Sequence, residues 1–207
     1  YNPRLNDEPP SDRTVSLDGE FCTPGANDVV RPIKILIMMD ASQSMGVTDP
    51  DGSRARATVD LIDNLPQDPE IYIAVMLFAG STSAWLTRNN QPNFEQIITY
   101  TAQDKANLQS GILNFTNPST NPNRDSTDFV KPLADVYAML SRDIAHTRLA
   151  ALGTGKEARA RYSVIFLSDG QPTQNQDFEL LCQDSVSRIR SLKDLAEDVR
   201  MNTVHVF

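Results

Sequence analysis

A chain of 207 residues with 40% apolar content is long enough to bury one sizeable core, and its formal charge of −8 disfavours nucleic acids and anionic membrane surfaces as partners while suiting cations. No apolar stretch approaches the roughly 20 residues that would span a bilayer. No signal-peptide pattern opens the sequence, so the chain is expected to be a mature or trimmed product.

Residues 1–31 are polar, rich in Pro, Asp and Gly, and without periodicity. They read as an irregular arm or linker ahead of a domain over 32–207. The run Ile33-Lys-Ile-Leu-Ile-Met-Met39 lacks strict alternation, as a parallel strand covered on both faces should. Over 53–65, Ala55, Val59, Ile62 and Leu65 recur at helical spacing, with Ser53 as an N-cap and Pro66 as a stop. Ile71-Tyr-Ile-Ala-Val-Met-Leu-Phe78 reads as a second buried strand, and 83–87 as a short edge strand. A helix is expected over 104–115, then a loop at 116–126 dense in Asn, Pro, Ser and Thr. The stripe Leu133, Val136, Tyr137, Leu140 and Ile144 predicts a helix over about 132–145, with Pro132 in its first turn. Tyr162-Ser-Val-Ile-Phe-Leu-Ser168 follows as a strand, then a helix over about 182–200 and a strand at 203–207. This alternation predicts an α/β fold: a doubly wound, mostly parallel sheet with helices on both faces.

Both the first strand and the strand at 162–168 run into an acid, Asp40 and Asp169. In the common strand order 3-2-1-4-5 these strands are neighbours, and ligands bind at the carboxyl edge where the order reverses. Asp40-Ala-Ser42-Gln-Ser44 adds two hydroxyls, because alternate residues of a short extended turn point the same way. Thr127 supplies a third. An all-oxygen set of Asp40, Ser42, Ser44, Thr127 and Asp169 suits a hard ion, Mg²⁺ first, with Mn²⁺ or Ca²⁺ as substitutes, rather than zinc or copper. Few direct carboxylates leave such an ion short of negative charge. The remaining charged side chains near this run, Arg54 and Arg56 included, read as solvated.

Asp40-Ala-Ser-Gln-Ser44 after a buried strand, a Thr before a helix, and Leu167-Ser-Asp169-Gly-Gln-Pro-Thr173 resemble the von Willebrand factor A (vWA) domain over roughly residues 32–207. The resemblance implies a Rossmann-like vWA fold with a metal-ion-dependent adhesion site (MIDAS). By position Asp40, Ser42 and Ser44 match its first motif, Asp169 its second aspartate and Thr127 its threonine, with Thr120 as a nearby competitor. Members usually continue beyond the strand at 203–207, so the chain is expected to be C-terminally incomplete.

The function implied is a binding and adhesion module, not an enzyme, in which an Asp or Glu of a protein partner completes the coordination of Mg²⁺. The expected setting is a larger cell-surface, envelope or secreted protein, with no membrane insertion by this segment. An intracellular vWA subunit of a chelatase or ATPase complex is the alternative. A metal-dependent hydrolase fits less well, since Ser42 stands where a phosphatase of this class needs a second acid and no His is placed as a general base. Cys22 and Cys182 lie in no CxxC or Cys/His cluster, which argues against zinc or redox chemistry. They stand open as two unrelated thiols or as one disulfide pinning the arm, which requires an oxidising compartment.

Overall fold

The computed structural model describes residues 31–80, 82–115, 126–152, 160–169, 178–193, 196 and 198–205. The arm at 1–30, Thr120 and most of the 116–126 loop lie outside that set, as does Cys22 and with it the question of its pairing.

Among the described residues six strands form one sheet: β1 (Ile33–Asp40), β2 (Ile71–Ala79), β3 (Thr82–Trp85), β4 (Glu95–Gln96), β5 (Arg161–Ser168) and β6 (Asp198–His205). Their order is β3-β2-β1-β5-β6, with β4 also paired to β2. β1, β2, β5 and β6 are parallel, while β3 and β4 run antiparallel to β2. The fold is therefore the doubly wound, mostly parallel α/β class expected. β1 lies between β2 and β5, so Asp40 and Asp169 leave neighbouring strands at the switch point.

The apolar run Ile35–Met39 of β1 is explained by two cores. Leu36 and Met38 pack with Val136, Met139, Leu140 and Leu192 on one face. Ile35, Ile37 and Met39 pack with Ala55, Ile62, Leu108 and Ile112 on the other. Successive side chains of a strand point to opposite faces, so both registers must be apolar when helices cover both sides. The covering helices are α2 (Ser53–Asn64) and α3 (Ala102–Phe115) on one face, and α4 (Val130–Leu152) and α5 (Phe178–Lys193) on the other.

Four details depart from expectation. A one-turn helix, α1 (Met45–Thr48), occupies part of the turn before α2, and the short β4 had no sequence signal. Gly52, at φ 65°, takes the N-cap position of α2 instead of Ser53. The Asp49 carboxylate accepts the backbone N–H of Ser53 (2.6 Å) and of Arg54 (3.2 Å), supplying the cap from four residues upstream. Finally, α5 ends at Lys193 and not near 200, and β6 begins at Asp198. Ile189, Leu192, Ala196 and Val199 do recur at helical spacing. Yet Val199 pairs with Tyr162 as a strand residue and is fully buried, with Arg200 exposed beside it, so strand alternation governs there.

Candidate metal centre

Asp40 is the last residue of β1 and is completely buried. Its Oδ1 accepts the backbone N–H of Ser42 at 2.8 Å, a local turn that swings the chain back over the strand end. Its Oδ2 accepts the hydroxyl of Ser168, the last residue of β5, at 2.7 Å. One carboxylate thus ties the first motif to the strand that delivers Asp169.

The serines continue the chain of bonds. The Ser42 and Ser44 hydroxyl oxygens lie 3.0 Å apart, and the Ser44 hydroxyl donates to Asp169 Oδ1 at 2.9 Å. A hydroxyl has one proton, so with Ser44 donating to Asp169, Ser42 must donate to Ser44. The second oxygen of Asp169 accepts from Thr48 Oγ1 at 2.7 Å, one helical turn beyond Ser44. Ser42 is buried, Asp169 half-buried and Ser44 exposed, so the cluster runs from a closed floor at Asp40 to an open rim.

Thr127 reaches the same edge by another route. Its backbone bridges Gly80, and the Gly80 N–H donates to the Ser126 carbonyl at 2.5 Å. Gly80, at φ 54°, follows the end of β2, whose Phe78 pairs with Asp40. Phe129, two residues on, packs edge-on against Phe78 (5.9 Å between centroids) and Phe166 (5.2 Å). This aromatic wedge beneath the site holds the segment carrying Thr127, itself buried, beside the β1 terminus. Asp40, Ser42, Ser44 and Asp169 are therefore joined by hydrogen bonds, and Thr127 is placed at their edge by its backbone.

The electrostatics are unbalanced. Burial pushes the Asp40 carboxyl above its usual range, the Ser168 and Ser42 hydrogen bonds pull it back, and the charge of Asp169 adds to the rise. Among the described residues no Lys or Arg forms an ion pair with Asp40 or Asp169. The nearby cation is otherwise engaged: Arg54 Nη1 meets Asp49 Oδ2 at 2.6 Å, both side chains being at most 4% exposed. Arg54 is thus a buried partner and not the solvated charge its sequence context suggested. Asp49 is committed to Arg54 and to the start of α2, which leaves the stretch 48–53 as a turn into the helix.

The donor chemistry fits a hard divalent ion. The edge offers two carboxylates and several hydroxyls, and among the described residues no group of three or more His, Cys, Asp or Glu is placed to hold a metal ion. Sequence reasoning missed Thr48, Ser168, Asp49 and Arg54. Only spacing hints at them: Ser168 directly precedes Asp169, Thr48 follows Ser44 by four, and Arg54 follows Asp49 by five.

No protein-family model matches the sequence, and no curated protein matches it either. Solved structures do resemble the fold. The TFIIH p34 N-terminal domain superposes with a TM-score of 0.57 at 15% identity, over 84% of this chain and 80% of that one. Proximal thread matrix protein 1 from the mussel byssus, solved with a zinc-occupied MIDAS motif, gives 0.46 at 14% identity, over 84% of this chain and 38% of that one. The ArnB paralog VWA2 from Sulfolobus acidocaldarius gives 0.39 at 16%, over 85% of this chain and 35% of that one. The chain thus spans little more than a third of the last two proteins. At these identities the likeness concerns fold alone: a Rossmann-like, mostly parallel α/β sheet shared with the p34 domain.

Proposed function

We propose that Asp40, Ser42, Ser44, Thr127 and Asp169 form a MIDAS that holds a divalent cation, Mg²⁺ before Mn²⁺ or Ca²⁺. One observation carries this reading. Two acids from adjacent strands, one of them fully buried, are joined through the Ser42 backbone N–H and the Ser42 and Ser44 hydroxyls, and no described Lys or Arg pairs with either. Burying an unpaired carboxylate is costly, so such an arrangement gains most from a cation supplied from outside.

A bound ion would supply a Lewis-acid position that a carboxylate from another protein can fill. The chain's own residues do the rest. Asp40 and Asp169 provide charge, Ser42, Ser44 and Thr127 provide neutral oxygens, and Ser168 and Thr48 fix the two carboxylates. The open rim at Ser44 is where a partner's Asp or Glu would approach. We read the protein as a binding and adhesion module and not as an enzyme, because Ser42 stands where a hydrolase of this class would carry its second acid. The polar, Pro-rich sequence before the domain supports an extracellular or envelope setting within a larger protein. Among the described residues no helix is long and apolar enough to cross a membrane, in keeping with a protein partner.

Calorimetric titration with Mg²⁺ and Mn²⁺ tests the site. Wild type should bind one ion, and Ser44→Ala should weaken binding at least tenfold while leaving the fold intact. Absence of binding in the wild type, or equal affinity in the variant, would overturn the assignment.

A further inference from the structure

The buried ion pair behind the site has a feature its capping role does not explain. Asp49 satisfies the first turn of α2 and takes one nitrogen of Arg54. The Arg54 Nε is also buried but has no hydrogen-bond partner among the described residues. Asn, Ser or a water-facing Asp caps a helix without burying a guanidinium, so the cap alone gives no reason for Arg54. The field of that guanidinium reaches beyond its partner. Burial works against its charge, and Asp49 restores it most strongly, followed by Asp40 and Asp169. Asp49 directly follows Thr48, whose hydroxyl donates to Asp169 Oδ2 at 2.7 Å, and the Thr58 hydroxyl that donates to the Arg54 carbonyl lies 3.7 Å from Met39 Sδ, next to Asp40, so three carboxylates and one guanidinium share this corner of the molecule. Among the described residues their formal sum is −2.

We propose that the buried Asp49–Arg54 pair sets the charge presented by the cation site: Arg54 holds divalent-ion affinity down, Asp49 holds it up, and a bound ion is left open to an outside carboxylate. The inference rests on the metal reading above. Without Arg54 the corner would carry one more uncompensated negative charge. The ion would then sit in an excess of protein carboxylate, with less to gain from a partner. Without Asp49 the guanidinium would repel the ion. Arg54 is thus a positioning charge that acts through the field and not a ligand.

Four variants test it with Mn²⁺ alone as the probe: Arg54→Gln, Asp49→Asn, the double variant, and Arg54→Lys. A unit charge buried this close to a divalent ion changes affinity by about tenfold or more. Arg54→Gln should therefore tighten Mn²⁺ binding about tenfold, and Asp49→Asn should weaken it by a similar factor. The double variant and Arg54→Lys should stay within about threefold of wild type, because the summed charge is kept. Unfolding in EDTA supplies the control. Each single variant breaks a buried pair and should be less stable than wild type, so a purely structural role would move both affinities the same way. Parallel weakening in both single variants, or no change in either, overturns the proposal. Should Arg54→Gln fail to fold, the opposite ordering of Asp49→Asn and the double variant still decides it. A wild type that takes up no Mn²⁺ would instead sink the metal site itself, and this inference with it.

Discussion

Strand β1 carries a buried charge at each end, and the two are handled in opposite ways. At its start, Lys34 is only 8% exposed and donates to Asp143 Oδ2 at 2.6 Å. The rings of Tyr72, Phe94 and Tyr162 lie 5.3–5.7 Å from its ammonium. The Tyr162 hydroxyl donates to the same Asp143 oxygen at 2.6 Å, so the anion is satisfied as well. At the other end, Asp40 has hydroxyl and backbone donors but, among the described residues, no cation, and Asp169 beside it adds a second negative charge. Among the described residues the amino edge of the sheet is neutralised, and the carboxyl edge is not. A fold can close a buried charge with its own residues when nothing further is asked of that charge. Where the charge stays uncompensated, a partner from outside has the most to contribute.

That contrast can be broken from either end. Lys34→Met should be the most damaging change, because it leaves Asp143 half-buried and opposed by a tyrosine alone. A loss of about 3–5 kcal/mol in denaturant unfolding is expected, equal in EDTA and in Mg²⁺. A loss that Mg²⁺ repairs would mean the two edges are not independent. At the carboxyl edge the pattern should reverse. Asp40→Asn should cost less than about 1 kcal/mol in EDTA, since burial already disfavours the charged form. What it should lose is the stabilisation that wild type gains from the ion, about 2.7 kcal/mol at a hundred times the dissociation constant. Thermal scans of both proteins with and without Mg²⁺ would show this as a shift present in wild type and absent in the variant. The smallest effect belongs to Thr48→Val, which removes one hydroxyl from Asp169 while keeping the shape of the side chain. About 1 kcal/mol in EDTA and a several-fold weaker Mn²⁺ affinity are expected. An affinity unchanged in Thr48→Val would show that the Thr48 bond does not help to position Asp169.

How much of this could be read in the sequence follows the same division. Apolar runs such as 35–39 and 71–78 mark buried parallel strands because short runs without alternation suit a strand covered on both faces. Their order, and the adjacency of β1 and β5, then bring Asp40 and Asp169 to one edge. Where two periodicities overlap, sequence is ambiguous. Val199 satisfies both a helical stripe and a strand alternation, and only its pairing with Tyr162 decides for β6. The supporting residues were hidden for a different reason. Arg54 is charged and sits in the first turn of a helix among polar neighbours, a pattern that normally means solvent. Its burial follows from the turn at 49–52, which folds Asp49 back onto it, and from no property of the residue itself. Ser168 and Thr48 were equally inconspicuous, because hydroxyls carry no signature until a carboxylate is placed against them.

The most direct test of the uncompensated carboxyl edge is anomalous diffraction from crystals grown with Mn²⁺. The account predicts one strong peak at the carboxyl end of β1 and β5, with the hydroxyl oxygens of Ser42, Ser44 and Thr127 at about 2.0–2.3 Å and the carboxylates of Asp40 and Asp169 bound directly or through water. A peak elsewhere, or none at an ion concentration that saturates binding in solution, would contradict it.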